Sequence, residues 1–279
     1  MASHVFQQVD VFTAVAFKGN PLAVVVGGDR LTDRQMATIA NWTNLSETTF
    51  LLTPTHPSAD YRVRIFTPER ELPFAGHPTL GSCHVWLATG SSPRRDHIVQ
   101  ECGVGLVRIK RDGKRLAFAA PPLRRSGDVA PDVLARLAQA LRIDSAAIKA
   151  SQWVDNGPGW VAVMLSTRSE VLALRPDYPA LDGQALGVVA PWDADRDGTD
   201  AHFEVRAFIA TRAAEDPVTG SLNAGLGQWL IPAGLAPNGY IASQGTALGR
   251  AGRVHVARVG DDIWIGGDTV TCIEGKINV

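Results

Sequence analysis

Two stretches of this chain follow one pattern, and they limit what it can fold into. Glu71 to Gly81 reads Glu-Leu-Pro-Phe-Ala-Gly-His-Pro-Thr-Leu-Gly, and Glu215 to Gly225 reads Glu-Asp-Pro-Val-Thr-Gly-Ser-Leu-Asn-Ala-Gly. Glu71 and Glu215, Pro73 and Pro217, Gly76 and Gly220, and Gly81 and Gly225 all stand 144 residues apart. Each stretch follows a strand-like segment, Tyr61–Phe66 (YRVRIF) or Phe203–Phe208 (FEVRAF), and these are 142 residues apart. Four shared positions in eleven could arise by chance, because glycine and proline are common. The shared order of strand, loop and helix favours a duplication: two similar halves, each with a helix of its own.

The chemistry of such a helix start is specific. Pro78 suits the first helical position, where a missing N–H is harmless, with Gly76 and His77 just ahead of it. Leu80, Cys83 and Leu87 follow at helical spacing, and Gly90 supplies a stop. Several backbone N–H groups then point at one spot with the positive end of the helix dipole behind them, which suits a carboxylate or phosphate. Ser221 fits either an N-cap or an anion ligand in the second copy. Two such helix starts could face one another across a cleft and grip one small anion, and a side chain at Gly220 would then block the backbone's approach.

The rest of the chain reads as α/β. Val5–Phe12 and Pro21–Val26 are strand-like, with a turn at Lys18-Gly19-Asn20 between them. Thr32 to Asn44 predicts a helix, opened by a capping box from Thr32 and Gln35 and striped by Met36, Ile39 and Ala40. Leu45-Ser46-Glu47 closes it ahead of a strand from Thr48. Short strands are expected around Ile98–Glu101, Leu106–Lys110 and Leu116–Ala119, then a loop through Ala120-Pro121-Pro122 to Gly127. Pro131–Arg142 predicts a second amphipathic helix, and Asp155 to Gly159 a turn before the strand Trp160–Leu165. Asp193–Asp200 reads as a mobile polar loop, and short strands end the chain at Val254–Val259, Asp262–Ile265 and Val270–Ile273. The halves divide as residues 1–122 and 123–279.

Composition narrows the function classes. At 279 residues, 45% hydrophobic and 20% charged, the chain can bury two sizeable cores. A net charge of −1 and no dense Lys/Arg run argue against nucleic-acid binding. Cys83, Cys102 and Cys272 fit neither a disulfide framework nor a zinc pattern, so reduced thiols in a cytoplasmic protein are expected. The first ten residues lack a secretory pattern, and the apolar runs are too short for a membrane span.

Several side chains could carry chemistry. Glu47 lies on a helix-to-strand connection near Leu45, Phe50 and Leu51, apolar neighbours that could raise a carboxyl toward the range useful for acid–base work. Local sequence alone favours a plainer role, a solvent-facing loop glutamate. His77 is either a neutral hydrogen-bonding group held by the helix dipole or a local cap. Asp216 could pair with His77 across a cleft or cap its own turn. His84 has no companions for a metal site, Ser221 lacks a nucleophile elbow, and no phosphate-binding glycine motif precedes a helix.

Taken together, the motifs resemble a known family. Val9-Asp10-Val11-Phe12, Gly19-Asn20-Pro21-Leu22-Ala23-Val24, Asn44-Leu45-Ser46-Glu47-Thr48, Phe66-Thr67-Pro68, Leu72 to Pro78 and Glu215 to Ser221 are similar, in order, to the phenazine-biosynthesis PhzF-like family. The resemblance implies the diaminopimelate-epimerase-like fold: two similar domains, each a curled mixed sheet around a central helix, with the site between them and the last segment returning to the first domain. It implies a cofactor-free, metal-free isomerase acting on a small anionic metabolite, the best-known member isomerising trans-2,3-dihydro-3-hydroxyanthranilate, and a homodimer. By the same resemblance, Glu47 matches the family's catalytic acid/base, His77 and Asp216 the family's supporting polar pair, and Gly76, Gly220 and Ser221 the substrate-binding helix starts. Racemases of this fold place a cysteine at each helix start. His77-Pro78 and Ser221 stand there instead, which excludes a two-thiol racemase. The chain departs from the family at Leu222-Asn223, where smaller residues often follow the Gly-Ser pair. A cleft that binds a small molecule without turning it over is the alternative reading.

Overall fold

A computed structural model describes residues 2–279. The chain runs β1 (Ser3–Val11), β2 (Asn20–Val26), α1 (Asp33–Thr43), β3 (Thr48–Leu52), β4 (Tyr61–Phe66), β5 (Glu71–Leu72), α2 (Gly76–Ala88), β6 (Ile98–Cys102), β7 (Gly105–Asp112) and β8 (Arg115–Ala119). It continues β9 (Arg125–Gly127), α3 (Pro131–Leu141), β10 (Ala150–Asp155), β11 (Trp160–Met164), α4 (Arg168–Ala173), β12 (Ala185–Pro191), a single turn α5 (Ala194–Asp197), β13 (Phe203–Ile209) and β14 (Ala214–Asp216). The last elements are α6 (Gly220–Leu230), β15 (Gly239–Gln244), β16 (Gly252–Val259), β17 (Asp262–Gly267) and β18 (Thr269–Asn278). Two compact units result, Met1–Ala119 with Gly266–Val279, and Ala120–Ile265.

Strand pairing repeats from one unit to the other. In the first, β1 and β2 are antiparallel, β2 and β3 parallel, β3 and β4 antiparallel, β4 antiparallel to β5 and parallel to β6, and β6 antiparallel to β7. In the second, β10 and β11 are antiparallel, β11 and β12 parallel, β12 and β13 antiparallel, β13 antiparallel to β14 and parallel to β15, and β15 antiparallel to β16. Six pairings in the same order and sense are a far more specific signature than the shared residues, and they establish the duplication. The fold is the α/β, diaminopimelate-epimerase-like one, a mixed sheet around a helix in each unit.

The central helices are buried where the sequence suggests an amphipathic stripe. In α2, Gly76 to Cys83 and Val85 are all buried, enclosed by β1, β2, β3, β4, β8 and β18. A helix buried on nearly every side shows no clear polar face, so periodicity understated its role. It also starts earlier than expected, at Gly76, with Pro78 third and Ala75 as the cap. Pro78 is harmless there because the first four N–H groups of a helix have no intrahelical partner.

The shared glycines have one physical reason. A Cβ on Gly81 would lie 2.5 Å from Leu22 Cδ2, and one on Gly225 would lie 2.3 Å from the Val154 carbonyl oxygen. Only glycine lets each helix lie this close to the sheet around it. Glu71 and Glu215 are structural too: Arg64 of β4 grips Glu71 through Nε and Nη2, and Arg206 of β13 grips Glu215 in the same way. Such bidentate pairs fix direction as well as distance. They fasten β5 and β14, the short strands that lead into α2 and α6.

Smaller elements follow local rules. The Thr32/Gln35 capping box opens α1, with Met36, Ile39 and Ala40 buried against Val25, Phe50 and Phe66, as their spacing predicts. Thr167 and Glu170 make a second capping box at α4. α3 buries Leu137, Ala138, Ala140 and Leu141 in the second unit's core. The 193–200 segment is no plain loop: it holds α5, and Asp197 and Asp200 are paired with Arg168 and Arg253. The last strand, β18, is longer than expected and runs antiparallel to β1.

Candidate active site

In the first unit, three elements bring Glu47, His77 and Asn20 together. Glu47 sits on the connection from α1 to β3, held from both ends by rigid elements. Its side chain is 13% exposed, so the reading as a solvent-facing loop residue does not hold. His77 is the second residue of α2, and its side chain is 6% exposed. Asn20 opens β2 and is fully buried. Gly19 before it donates its N–H to Asp10 Oδ2 at 2.9 Å, and a Cβ there would lie 2.1 Å from the Val11 carbonyl. That close approach to β1 sets where Asn20 begins.

Two distances describe the surroundings of His77. His77 Nε2 lies 3.2 Å from Glu47 Oε2, and His77 Nδ1 lies 3.4 Å from Asn20 Nδ2. An amide nitrogen can only donate, so the Asn20 contact makes Nδ1 the acceptor and leaves the proton on Nε2, which lies close to Glu47 Oε2 without making a hydrogen bond to it. Burial pushes the imidazole down to about 3, so it is neutral near neutral pH and acts through its N–H rather than its charge. The carboxylate thus lies 3.2 Å from a neutral imidazole, beside the N-terminus of α2, whose first amides have no intrahelical partner and whose dipole favours a negative group.

In the second unit, the equivalent helix start is built differently. Thr219 caps α6, and Ser221 lies inside its first turn, which corrects the expectation of Ser221 as the N-cap. Ser221 Oγ accepts from Trp160 Nε1 at 3.0 Å, and Asn156 Nδ2 donates to the Ser221 carbonyl at 2.8 Å. With that acceptor site filled from the protein, the hydroxyl proton remains to be donated. Asp216 accepts a hydrogen bond from Thr219 Oγ1, so it caps its own turn. In the paired registers Thr48 faces Phe66 and Leu186 faces Phe208, which puts Ala185 at the place of Glu47. Only the first unit has a carboxylate at this position.

Other candidates from the sequence take structural places. His84 Nε2 lies 2.9 Å from Thr271 Oγ1 within the first unit. Cys83 is buried in α2, and desolvation pushes its thiol up to about 12, which leaves no thiolate for proton transfer. Among the described residues no group of three His, Cys, Asp or Glu side chains is placed to hold a metal ion. Among the described residues no helix is long and apolar enough to cross a membrane. Asn20, Trp160 and Thr219 were not singled out as site residues in the sequence, because each acts through a neighbour that only packing supplies.

Comparison with known proteins shows the family. The family described as phenazine biosynthesis-like protein (PhzC-PhzF) matches residues 9–275. Antisense-enhancing sequence 1 of Schizosaccharomyces pombe is 35% identical, with 99% of each chain covered. A trans-2,3-dihydro-3-hydroxyanthranilate isomerase of Pseudomonas aeruginosa is 33% identical over 97% of this chain and 94% of its own. The crystal structure of a PhzF-family phenazine biosynthesis protein from Enterococcus faecalis matches with a TM-score of 0.81 at 26% identity, covering 100% of both chains.

Proposed function

The chain belongs to the phenazine-biosynthesis PhzF-like family and is an isomerase, and we propose that it moves a proton within a small carboxylated metabolite, with Glu47 as the acid/base. The observation that carries this reading is the 3.2 Å approach of His77 Nε2 to Glu47 Oε2 beside the N-terminus of α2. A neutral imidazole beside the carboxylate leaves it charged, as a base needs.

In this proposal Glu47 removes a proton from one carbon of the substrate and returns it to another on the same face. Ala185 at the equivalent place supports a single base, since stereochemical inversion between two bases needs a second proton carrier. In each unit the helix start, Gly76 with His77 in the first and Gly220 with Ser221 in the second, has amides and a dipole that suit a carboxylate. The hydroxyl of Ser221 and the carboxyl of Asp216 are the polar groups of the second unit that we assign to substrate handling. A cyclic amino- or hydroxy-carboxylic acid fits these groups, and trans-2,3-dihydro-3-hydroxyanthranilate is the first compound to test, from the name of the Pseudomonas aeruginosa relative.

The test is turnover in D₂O followed by NMR. Wild-type protein is expected to form product with deuterium at the carbon that receives the proton. Glu47→Gln keeps the shape and removes the base, so the rate should fall at least about 100-fold, as general acid–base catalysis predicts, with little change in melting temperature. Full-rate turnover by Glu47→Gln would end this assignment.

A further inference from the structure

Gln244, the last residue of β15, is fully buried and makes four hydrogen bonds within the second unit. Its Oε1 accepts from the Thr219 N–H at 3.0 Å and from Asn223 Nδ2 at 2.8 Å. Its Nε2 donates to Thr219 Oγ1 at 2.9 Å and to the Asp216 carbonyl at 3.2 Å. The orientation of this amide is determined by its partners. Thr219 N–H can only donate and the Asp216 carbonyl can only accept, so a flipped amide would set donor against donor and acceptor against acceptor. Asn223 is fixed in the same way, because its Nδ2 also donates to the Thr219 carbonyl at 2.9 Å.

The bonds have a direction. Thr219 Oγ1 receives a proton from Gln244 and therefore spends its own on Asp216 Oδ2. One side chain thus holds the cap of α6 by its backbone and, through the cap's hydroxyl, presents a donor to Asp216. The backbone around it is shaped to allow this: Gly245 has φ +91°, and a Cβ there would lie 2.7 Å from the Pro217 carbonyl. A Cβ on Gly252 would lie 2.4 Å from Val218 Cγ2.

The first unit carries the same device. Gln100 of β6, 144 residues before Gln244, is also fully buried, and its Nε2 donates to Thr79 Oγ1 at 3.0 Å. Thr79, 144 residues before Asn223, donates to the carbonyl of Ala75, the cap of α2. A buried glutamine thus reaches the helix cap in both units through the residue four places after that cap. Only in the second does it go on to the cap's own hydroxyl and a carboxylate.

We infer that Gln244 is a positioning residue, which sets Asp216 and the N-terminus of α6 through Thr219. The inference rests on the assignment of Asp216, Gly220 and Ser221 to substrate handling, and two measurements separate the two claims. Thr219→Val removes the hydroxyl arm and leaves the backbone bond to Gln244. Gln244→Met removes both arms at similar volume, and Thr219→Ser restores the hydroxyl. With trans-2,3-dihydro-3-hydroxyanthranilate, Thr219→Val should lower kcat about tenfold with KM within about twofold, and Gln244→Met should lower kcat and raise KM. The double variant should be no worse than Gln244→Met, and Thr219→Ser should stay within about twofold of wild type.

The second measurement needs no substrate. Carbon-13 NMR of the Asp216 carboxyl reads its ionisation directly, and a carboxylate that loses a donor titrates at higher pH. The midpoint should rise in Thr219→Val and Gln244→Met and stay in place in Thr219→Ser. An Asp216 that titrates alike in all four proteins overturns the inference, as does a Gln244→Met protein that is less stable but unchanged in kcat and KM. Absence of turnover by wild type overturns the substrate assignment instead, and the titration still decides the role of Gln244.

Discussion

His77 shows how one buried side chain sets both chemistry and pH dependence. Its imidazole falls from an ordinary 6.5 to about 3 because burial disfavours the charged form. Between those values the unfolded chain binds a proton that the native protein does not, so stability drops as pH falls through that window. At pH 5 the loss is about 2 kcal/mol, a large share of a typical folding free energy. His77→Gln has nothing to titrate, so its urea midpoint should fall less than that of wild type between about pH 7.5 and about pH 5. Parallel losses in the two proteins would show that His77 is not held neutral by the fold. The sequence named Glu47 and His77, but not that they meet, because the distance between residues 30 positions apart is a tertiary property.

At the scale of elements, the repeated glycines set two effects against each other. Gly→Ala inside a helix gains about 1 kcal/mol from propensity, while overpacking a core costs about 1–3 kcal/mol. At Gly225 the added methyl meets a backbone carbonyl oxygen at 2.3 Å, which cannot swing away, so overpacking wins. At Gly81 the first obstacle is the end of the Leu22 side chain, with Val11 and Val9 methyls at 3.0 and 3.1 Å. Gly225→Ala should therefore destabilise more than Gly81→Ala in urea denaturation, and a stabilised Gly225→Ala would refute the close-packing account. The capping box of α1 and the stripe of α3 were legible because both are local. The start of α2 and the true cap of α6 were not, since a helix enclosed by strands takes its ends from what surrounds it.

Across the whole molecule, the chain returns at its end to where it began. β18 pairs with β1 from Ser3↔Asn278 to Val11↔Thr269, and both belong to the first unit. A chain cut before Thr269 leaves β1 with an unpaired edge and uncovers part of α2. Amide exchange in β1 and β2 should then speed up most, and unchanged protection there would show that β18 contributes little. The sequence by itself pointed to a duplication, to the two glycine-bearing helices and to the α/β class through local pattern, and only the family motifs singled out Glu47, His77 and Asp216 as candidates. Tertiary structure alone decided that Glu71 and Glu215 are braces, that Ser221 lies inside its helix, and that Gln244 reaches Thr219 and Asp216. Hydrogen bonds between residues far apart in sequence depend on how strands and helices pack, and residue pattern along a chain does not encode that distance.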